Sequence, residues 1–165
     1  MLAFSCAYTK FSPVEEWEEL YQEVILEHSR RPRNYGALEE ADGRAMGHNA
    51  SCGDSVAVAV CLEEKRLRTI RFCGEGCAIS RASASLMASS IEGLECIEAL
   101  RRIDGTIRAL GGGELVDLGP CTVLLGVRKF PMRIKCATLP WHALREALAN
   151  ATQSLPPVSV TTSCG

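Results

Sequence analysis

Thiols dominate the chemical inventory of this sequence. There are nine: Cys6, Cys52, Cys61, Cys73, Cys77, Cys96, Cys121, Cys136 and Cys164. The number is odd, and cysteine content stays below the ~8–10% of a small disulfide-stapled scaffold. No basic residue precedes the apolar stretch at the N-terminus, so no secretory signal is read there, and the expected compartment is the reducing cytoplasm. In that setting the thiols read as metal ligands, nucleophiles or core residues before disulfides.

Three of them stand apart by context. Cys52 sits in a Ser51-Cys52-Gly53-Asp54 loop ahead of an alternating apolar run, Cys77 follows Gly74-Glu75-Gly76 and opens a helical pattern, and Cys136 lies between a Pro-marked connector and the last helix. All three are placed at element ends, where a thiol can reach solvent or a metal. Asp54 adds a carboxylate one glycine away from Cys52, and glycine takes the backbone angles a chelate requires. A thiol at a helix N-terminus feels unpaired N–H groups that favour thiolate. Three cysteines and one aspartate make four-coordinate tetrahedral zinc. The same thiolates could hold an iron–sulfur cluster, with Asp54 as a less usual oxygen ligand. Spacing alone leaves three unrelated thiols as an open alternative, since there is no Cys-x-x-Cys pair. Four anionic ligands around zinc leave a net charge of about −2. Arg128, Lys129, Arg133 and Lys135 crowd the approach to Cys136 and could offset it; the competing reading of each is a solvated surface charge.

The remaining thiols read differently. Cys61, Cys96 and Cys121 fall inside apolar periodic runs and are expected as buried small hydrophobes. Cys73 reads as core or bystander rather than ligand, and Cys6 and Cys164 lie near the chain ends with no role expected. His28, His48 and His142 do not cluster and are expected at the surface or as caps. There is no Gly-x-Ser-x-Gly, no Walker loop and no His-Glu-x-x-His.

The elements that must position these groups follow from periodicity. Ser12-Pro13, with Glu15 and Glu16 next, starts a helix. Its stripe of Trp17, Leu20, Tyr21, Val24 and Ile25 runs to an end before Arg31-Pro32. That stripe serves the core or a partner. A short edge strand is expected over 42–49. Val56, Val58 and Val60, a polar Glu63-Glu64-Lys65 turn, and Leu67 to Cys73 read as a hairpin. A helix from Cys77 to Ile91 carries Ile79, Ala82, Leu86 and Ser90 on one face, with small residues that permit close packing. Further helices are expected over 94–102, 118–127 and 139–149, with Gly111-Gly112-Gly113 as a break and Phe130 to Cys136 as a connector. The organisation predicted is a flexible leader 1–13, one domain over 14–150, and a disordered Ser/Thr/Pro-rich tail 151–165. The fold class is α+β: a small three-stranded antiparallel sheet with helices mainly on one face.

Composition narrows the function classes. A chain of 165 residues, 47% hydrophobic and 23% charged, supplies one core and little room for two. A formal net charge of −2 argues against a nucleic-acid partner. The longest apolar run, Val56 to Leu62, is seven residues, far short of the ~20 of a membrane span.

Five ordered segments carry a resemblance. They are Leu20-Tyr21-x-x-Val24-Ile25-x-x-His28-x-x-x-Pro32-Arg33-Asn34-x-Gly36; Asn49-Ala50-Ser51-Cys52-Gly53-Asp54; Gly74-Glu75-Gly76-Cys77-Ala78-Ile79-Ser80; Ala82-Ser83-Ala84-Ser85; and Arg133-Ile134-Lys135-Cys136-Ala137-Thr138-Leu139. Together they resemble the SufU/IscU family of iron–sulfur assembly proteins, collinearly from about residue 17 to 150. The resemblance implies a metal site on Cys52, Asp54, Cys77 and Cys136. IscU-like members, scaffolds for a [2Fe–2S] cluster, usually carry His before the third cysteine and a Leu-Pro-Pro-Val-Lys segment. Here Lys135 precedes Cys136, the segment reads Phe130-Pro131-Met132-Arg133-Ile134-Lys135, and the stretch around Gly111–Gly119 is longer. All three features resemble the SufU branch, zinc-dependent sulfur acceptors for a PLP-containing cysteine desulfurase.

That branch implies a mechanism. Zinc orders the site at rest, a desulfurase histidine takes a zinc position on docking, and Cys52, freed, attacks the desulfurase persulfide. Asp54 stays on the metal, Cys77 and Cys136 are mainly ligands, and Arg133 and Lys135 stabilise anionic sulfur. A downstream scaffold or other acceptor receives the sulfur. The alternatives are a scaffold holding iron or a [2Fe–2S] cluster, and a purely structural zinc domain. Asp54 argues against the last, because structural sites use Cys and His.

Overall fold

A computed structural model describes the backbone of residues 13–153 and the side chains of residues 18–153. Cys6 and Cys164, the leader through residue 12 and the tail from residue 154 lie outside the described residues. Helix α1 (Pro13–Arg30) is followed by strands β1 (Gly43–Asn49), β2 (Asp54–Glu63) and β3 (Arg66–Cys73). Then come α2 (Ala78–Ile91), α3 (Cys96–Leu110), a 3₁₀ segment (Gly119–Lys129) and α4 (Pro131–Gln153). The strands form one antiparallel sheet in the order β1-β2-β3.

Alternation sets the sheet's two faces. Val56, Val58 and Val60 on β2 and Leu67, Ile70 and Phe72 on β3 are buried. Arg44, Met46 and His48 on β1 and Arg68 and Arg71 on β3 are exposed. Helix α4 lies against β1 and β2, and α2 packs between α1 and α4. This is the expected α+β arrangement with helices on one face. The small residues of α2 are used as predicted but on more than one face: Ala82, Ser83, Ala84, Ser85, Met87 and Ala88 are all buried. Its buried hydroxyls are satisfied across helix boundaries. Ser83 Oγ donates to the Ala137 carbonyl at 2.6 Å and accepts from Trp141 Nε1 at 3.0 Å. Ser85 Oγ accepts the Arg33 N–H at 2.8 Å and lies 2.8 Å from His28 Nδ1.

Several expectations are corrected. His28 is not a surface or capping residue but is buried beside Ser85. Helix α3 runs to Leu110 rather than Arg102, because Ala99, Ile103, Thr106 and Leu110 continue the buried stripe past the charged pair Arg101-Arg102. Residues 119–129 form 3₁₀ turns rather than an α-helix. The largest correction concerns α4. The segment 131–136 is not a connector; Pro131 opens the helix, where a fixed φ is suited and no N–H is missed. Cys136 therefore lies inside a helix, buried, and not at an element end. Pro140, expected in the first turn, sits mid-helix and offers no N–H to the Cys136 carbonyl. The same helix continues through Gln153, with Ala151 buried against the backbone near Gly43, so the helical structure extends past residue 150.

Candidate metal centre

The four predicted ligands come from three places that the fold brings together. Asn49 ends β1, and its carbonyl accepts the N–H groups of Cys52 (3.3 Å) and Gly53 (2.8 Å). Its side-chain oxygen accepts the Ser51 N–H at 3.1 Å. Gly53 then adopts φ +70°, which an L-residue resists, and the chain turns back into Asp54 at the start of β2. The Cys52 side of this loop is exposed, while Asp54 is 2% exposed.

Cys77 reaches Asp54 through a close crossing. The Ser55 N–H donates to the Glu75 carbonyl at 2.8 Å. A Cβ at Gly74, whose φ is +145°, would fall 2.2 Å from the Ser55 carbonyl oxygen, so only glycine permits this approach. Cys77 is the N-cap of α2, as predicted: its sulfur accepts the Ser80 N–H at 3.4 Å. Its own N–H donates to Asp54 Oδ1 at 2.8 Å, and its thiol donates to Asp54 Oδ2 at 3.4 Å. Cys136 descends from α4 onto the same spot. Its thiol donates to Cys52 Sγ at 3.3 Å, and its sulfur lies 3.8 Å from Asn49 Nδ2.

Ligand atoms of Cys52, Asp54 and Cys136 lie within 4.8 Å of one another, and Cys77 joins the group through its 3.4 Å contact with Asp54. Three sulfurs and a buried carboxylate concentrated this way are a donor set in want of a cation. The Cys136 thiol is pushed strongly up, by burial first and then by hydrogen bonds to Asp54 and Cys52 and the nearby Cys77. A divalent ion removes that penalty by making the thiolate the favoured form. The residues therefore fit zinc.

The predicted supporting cations are not aimed at the sulfurs. The Arg133 guanidinium stacks over the Phe130 ring at 4.7 Å. It also lies beside the buried Tyr21 hydroxyl, whose pKa is raised by burial and lowered in part by that cation. Lys129 pairs with Glu18 at 3.2 Å. Lys135 is exposed and makes no ion pair among the described residues. The other thiols are separate. Cys121 is buried against Ser90 Oγ at 3.3 Å, and burial pushes it up to about 11. Cys61 and Cys96 are half-buried, not core residues. Cys73, half-buried, pairs in register with Ala57, on the side of the sheet away from Val56 and Val58. Asn49 has no sequence-predicted role, although an Asn two residues ahead of Ser51-Cys52-Gly53 is a side-chain-capped turn signal.

Residues 20–153 match the NifU-like N terminal domain family. The chain belongs to this family. Among its NifU-like relatives, the zinc-dependent sulfurtransferase SufU of Bacillus subtilis is 40% identical over 136 residues, covering 81% of this chain and 92% of that protein. The iron–sulfur cluster assembly scaffold protein IscU of Streptococcus pyogenes is 38% identical over 138 residues, covering 82% and 86%. A crystal structure described as a scaffold protein for the SUF system, from Fervidobacterium islandicum, superposes with a TM-score of 0.75 at 34% identity, covering 79% of this chain and 98% of that one. The NifU-like fold assigned from the sequence is thus the fold observed. No described helix is long and apolar enough to cross a membrane.

Proposed function

We propose that this NifU-like chain is a zinc-dependent sulfurtransferase of iron–sulfur cluster assembly that accepts persulfide sulfur from a PLP-dependent cysteine desulfurase in the cytoplasm. Cys52, Asp54, Cys77 and Cys136 hold zinc, and Cys52 is the acceptor. The observation that carries this reading is the inequality of the sulfurs. Cys136 is buried, and Cys77, though exposed, accepts a backbone N–H, whereas Cys52 is exposed and receives no N–H among the described residues. When bound, zinc keeps the thiols deprotonated at neutral pH.

In the transfer, the Cys52 thiolate attacks the outer sulfur of the desulfurase persulfide. A new S–S bond forms to Cys52 as the old S–S bond breaks. The desulfurase cysteine leaves as thiolate, and the outer sulfur keeps its proton. Asp54, anchored by the Cys77 N–H, remains a fixed ligand while Cys52 reacts. Arg133, stacked on Phe130, and Lys135, exposed, contribute only long-range positive charge at the approach. The persulfide then passes to a downstream scaffold or other sulfur acceptor. The functional unit is the predicted domain 14–150, extended by the last turn of α4.

The similarity to the IscU scaffold of Streptococcus pyogenes favours a second reading, in which the same residues receive a [2Fe–2S] cluster as cargo. Two measurements separate the readings. Desulfurase turnover with cysteine is expected to rise on adding this protein and not on adding Cys52→Ala; equal stimulation by the variant removes Cys52 as acceptor. Protein purified without added iron is expected to be colourless with about one zinc per chain; a brown protein bleached by chelation supports the scaffold.

A further inference from the structure

Beside the three sulfurs lies one polar side chain outside the predicted ligand set. Asn49 is 9% exposed, at the end of β1. Its oxygen is committed to the Ser51 N–H at 3.1 Å, which can only donate, so its NH₂ must be the group facing Cys136 Sγ at 3.8 Å. The same residue's backbone carbonyl holds the Cys52 and Gly53 N–H groups. Asn49 therefore fixes the loop that presents Cys52 and, with its other end, places a donor on the neighbouring sulfur. An N–H donated to a thiolate withdraws charge from it and lowers its nucleophilicity. Cys77 is treated likewise by the Ser80 N–H at 3.4 Å. Cys52, whose sulfur accepts only the Cys136 thiol, is the one of the three that receives no N–H among the described residues.

We infer that Asn49 is a positioning residue that selects the reacting thiol: its amide masks Cys136 while its backbone carbonyl and Asx turn present Cys52. The inference rests on the metal-site reading above and concerns which of its sulfurs is free to react.

The test uses the full-length zinc-loaded protein, briefly treated with limiting iodoacetamide and mapped by peptide mass spectrometry. No desulfurase is needed, so the result is independent of whether sulfur transfer occurs. Wild-type protein is expected to be alkylated at Cys52 well before Cys136. Asn49→Leu fills the same space without a donor. Asn49→Asp keeps the acceptor for Ser51 and loses the donor. Both variants are expected to raise early Cys136 modification relative to Cys52 about fivefold, the worth of one such hydrogen bond. In cobalt(II)-loaded protein both are expected to move the sulfur-to-metal charge-transfer bands to longer wavelength, a signature a loop-building role would not produce. An unchanged alkylation ratio and unchanged bands in Asn49→Asp overturn the inference, even if Asn49→Leu fails to fold. Alkylation of Cys136 ahead of Cys52 in the wild type overturns both it and the acceptor assignment. Correct Cys52 selectivity in the wild type with unaltered variants overturns the role of Asn49 alone.

Discussion

At the scale of single residues, the centre depends on a carboxylate that does two jobs. Asp54 is a ligand in the proposed centre and also accepts the Cys77 N–H at 2.8 Å, so it anchors the start of α2. Asp54→Ala is expected to weaken zinc retention about tenfold or more, read by competition with a chromophoric chelator. Retention equal to wild type would remove Asp54 from the ligand set. His28 makes a second residue-scale prediction. Ser85 Oγ accepts the Arg33 N–H and shares a hydrogen bond with His28 Nδ1. Burial first, and then the Arg33 cation, lower the His28 pKa. The unfolded ring takes up a proton near pH 6.5 while the folded ring does not. Stability is therefore full above that pH and declines as pH falls through the lowered native value. Urea unfolding between pH 7.5 and 5.5 should show this slope, and His28→Gln should flatten it.

At the scale of elements, the site is made by a crossing and a helix register. The Gly74 segment passes so close to β2 that a methyl group would sit 2.2 Å from the Ser55 carbonyl oxygen. Gly74→Ala is expected to cost on the order of 2–3 kcal/mol in denaturant unfolding, and to weaken zinc binding by displacing Cys77 from Asp54. A stable variant with normal metal content would show the crossing to be dispensable. The helix register matters because Cys136 lies one turn inside α4. Its sulfur is aimed by the packing of Ala137 and Trp141 on α2, through Ser83, and not by a loop of its own. Loop motion can move Cys52; Cys136 can move only with the helix.

At the scale of the whole molecule, the proposed zinc would join the β1–β2 loop, the start of α2 and the first turns of α4, a cross-link among three elements distant along the chain. Its binding energy is then shared with folding. With free zinc at about 100 times its dissociation constant, the folded state gains ~2.7 kcal/mol. Chelation should accordingly lower the melting temperature by about 5–10 °C. An unchanged melting curve after complete zinc removal would place the metal outside the fold's cooperative unit. The core itself is set by α4 against the sheet and α2. Leu144, fully buried in α4, is expected to cost about 2–5 kcal/mol on truncation to alanine.

The sequence by itself determined the strands, because alternation of Val56, Val58 and Val60 has one period and one meaning. It also determined the start of α2 at Cys77 and, by context, the cysteines worth attention. The tertiary structure decided the rest. Residues 131–136 read as a connector because Pro131 marks a break locally, yet proline is equally suited to opening a helix, and only packing on α2 and the sheet chooses between them. Arg133 and Lys135 stood close to Cys136 in sequence, but helical rotation turns Arg133 onto Phe130 and Lys135 to solvent. His28 is polar and stands in an amphipathic pattern, so nothing local reveals the Ser85 hydroxyl that buries it. The meeting of Cys52 and Cys136 at 3.3 Å, across the length of the domain, is a property of how α4 lies on β1 and β2. Periodicity reports which face of an element is apolar; it does not report which other element that face will meet.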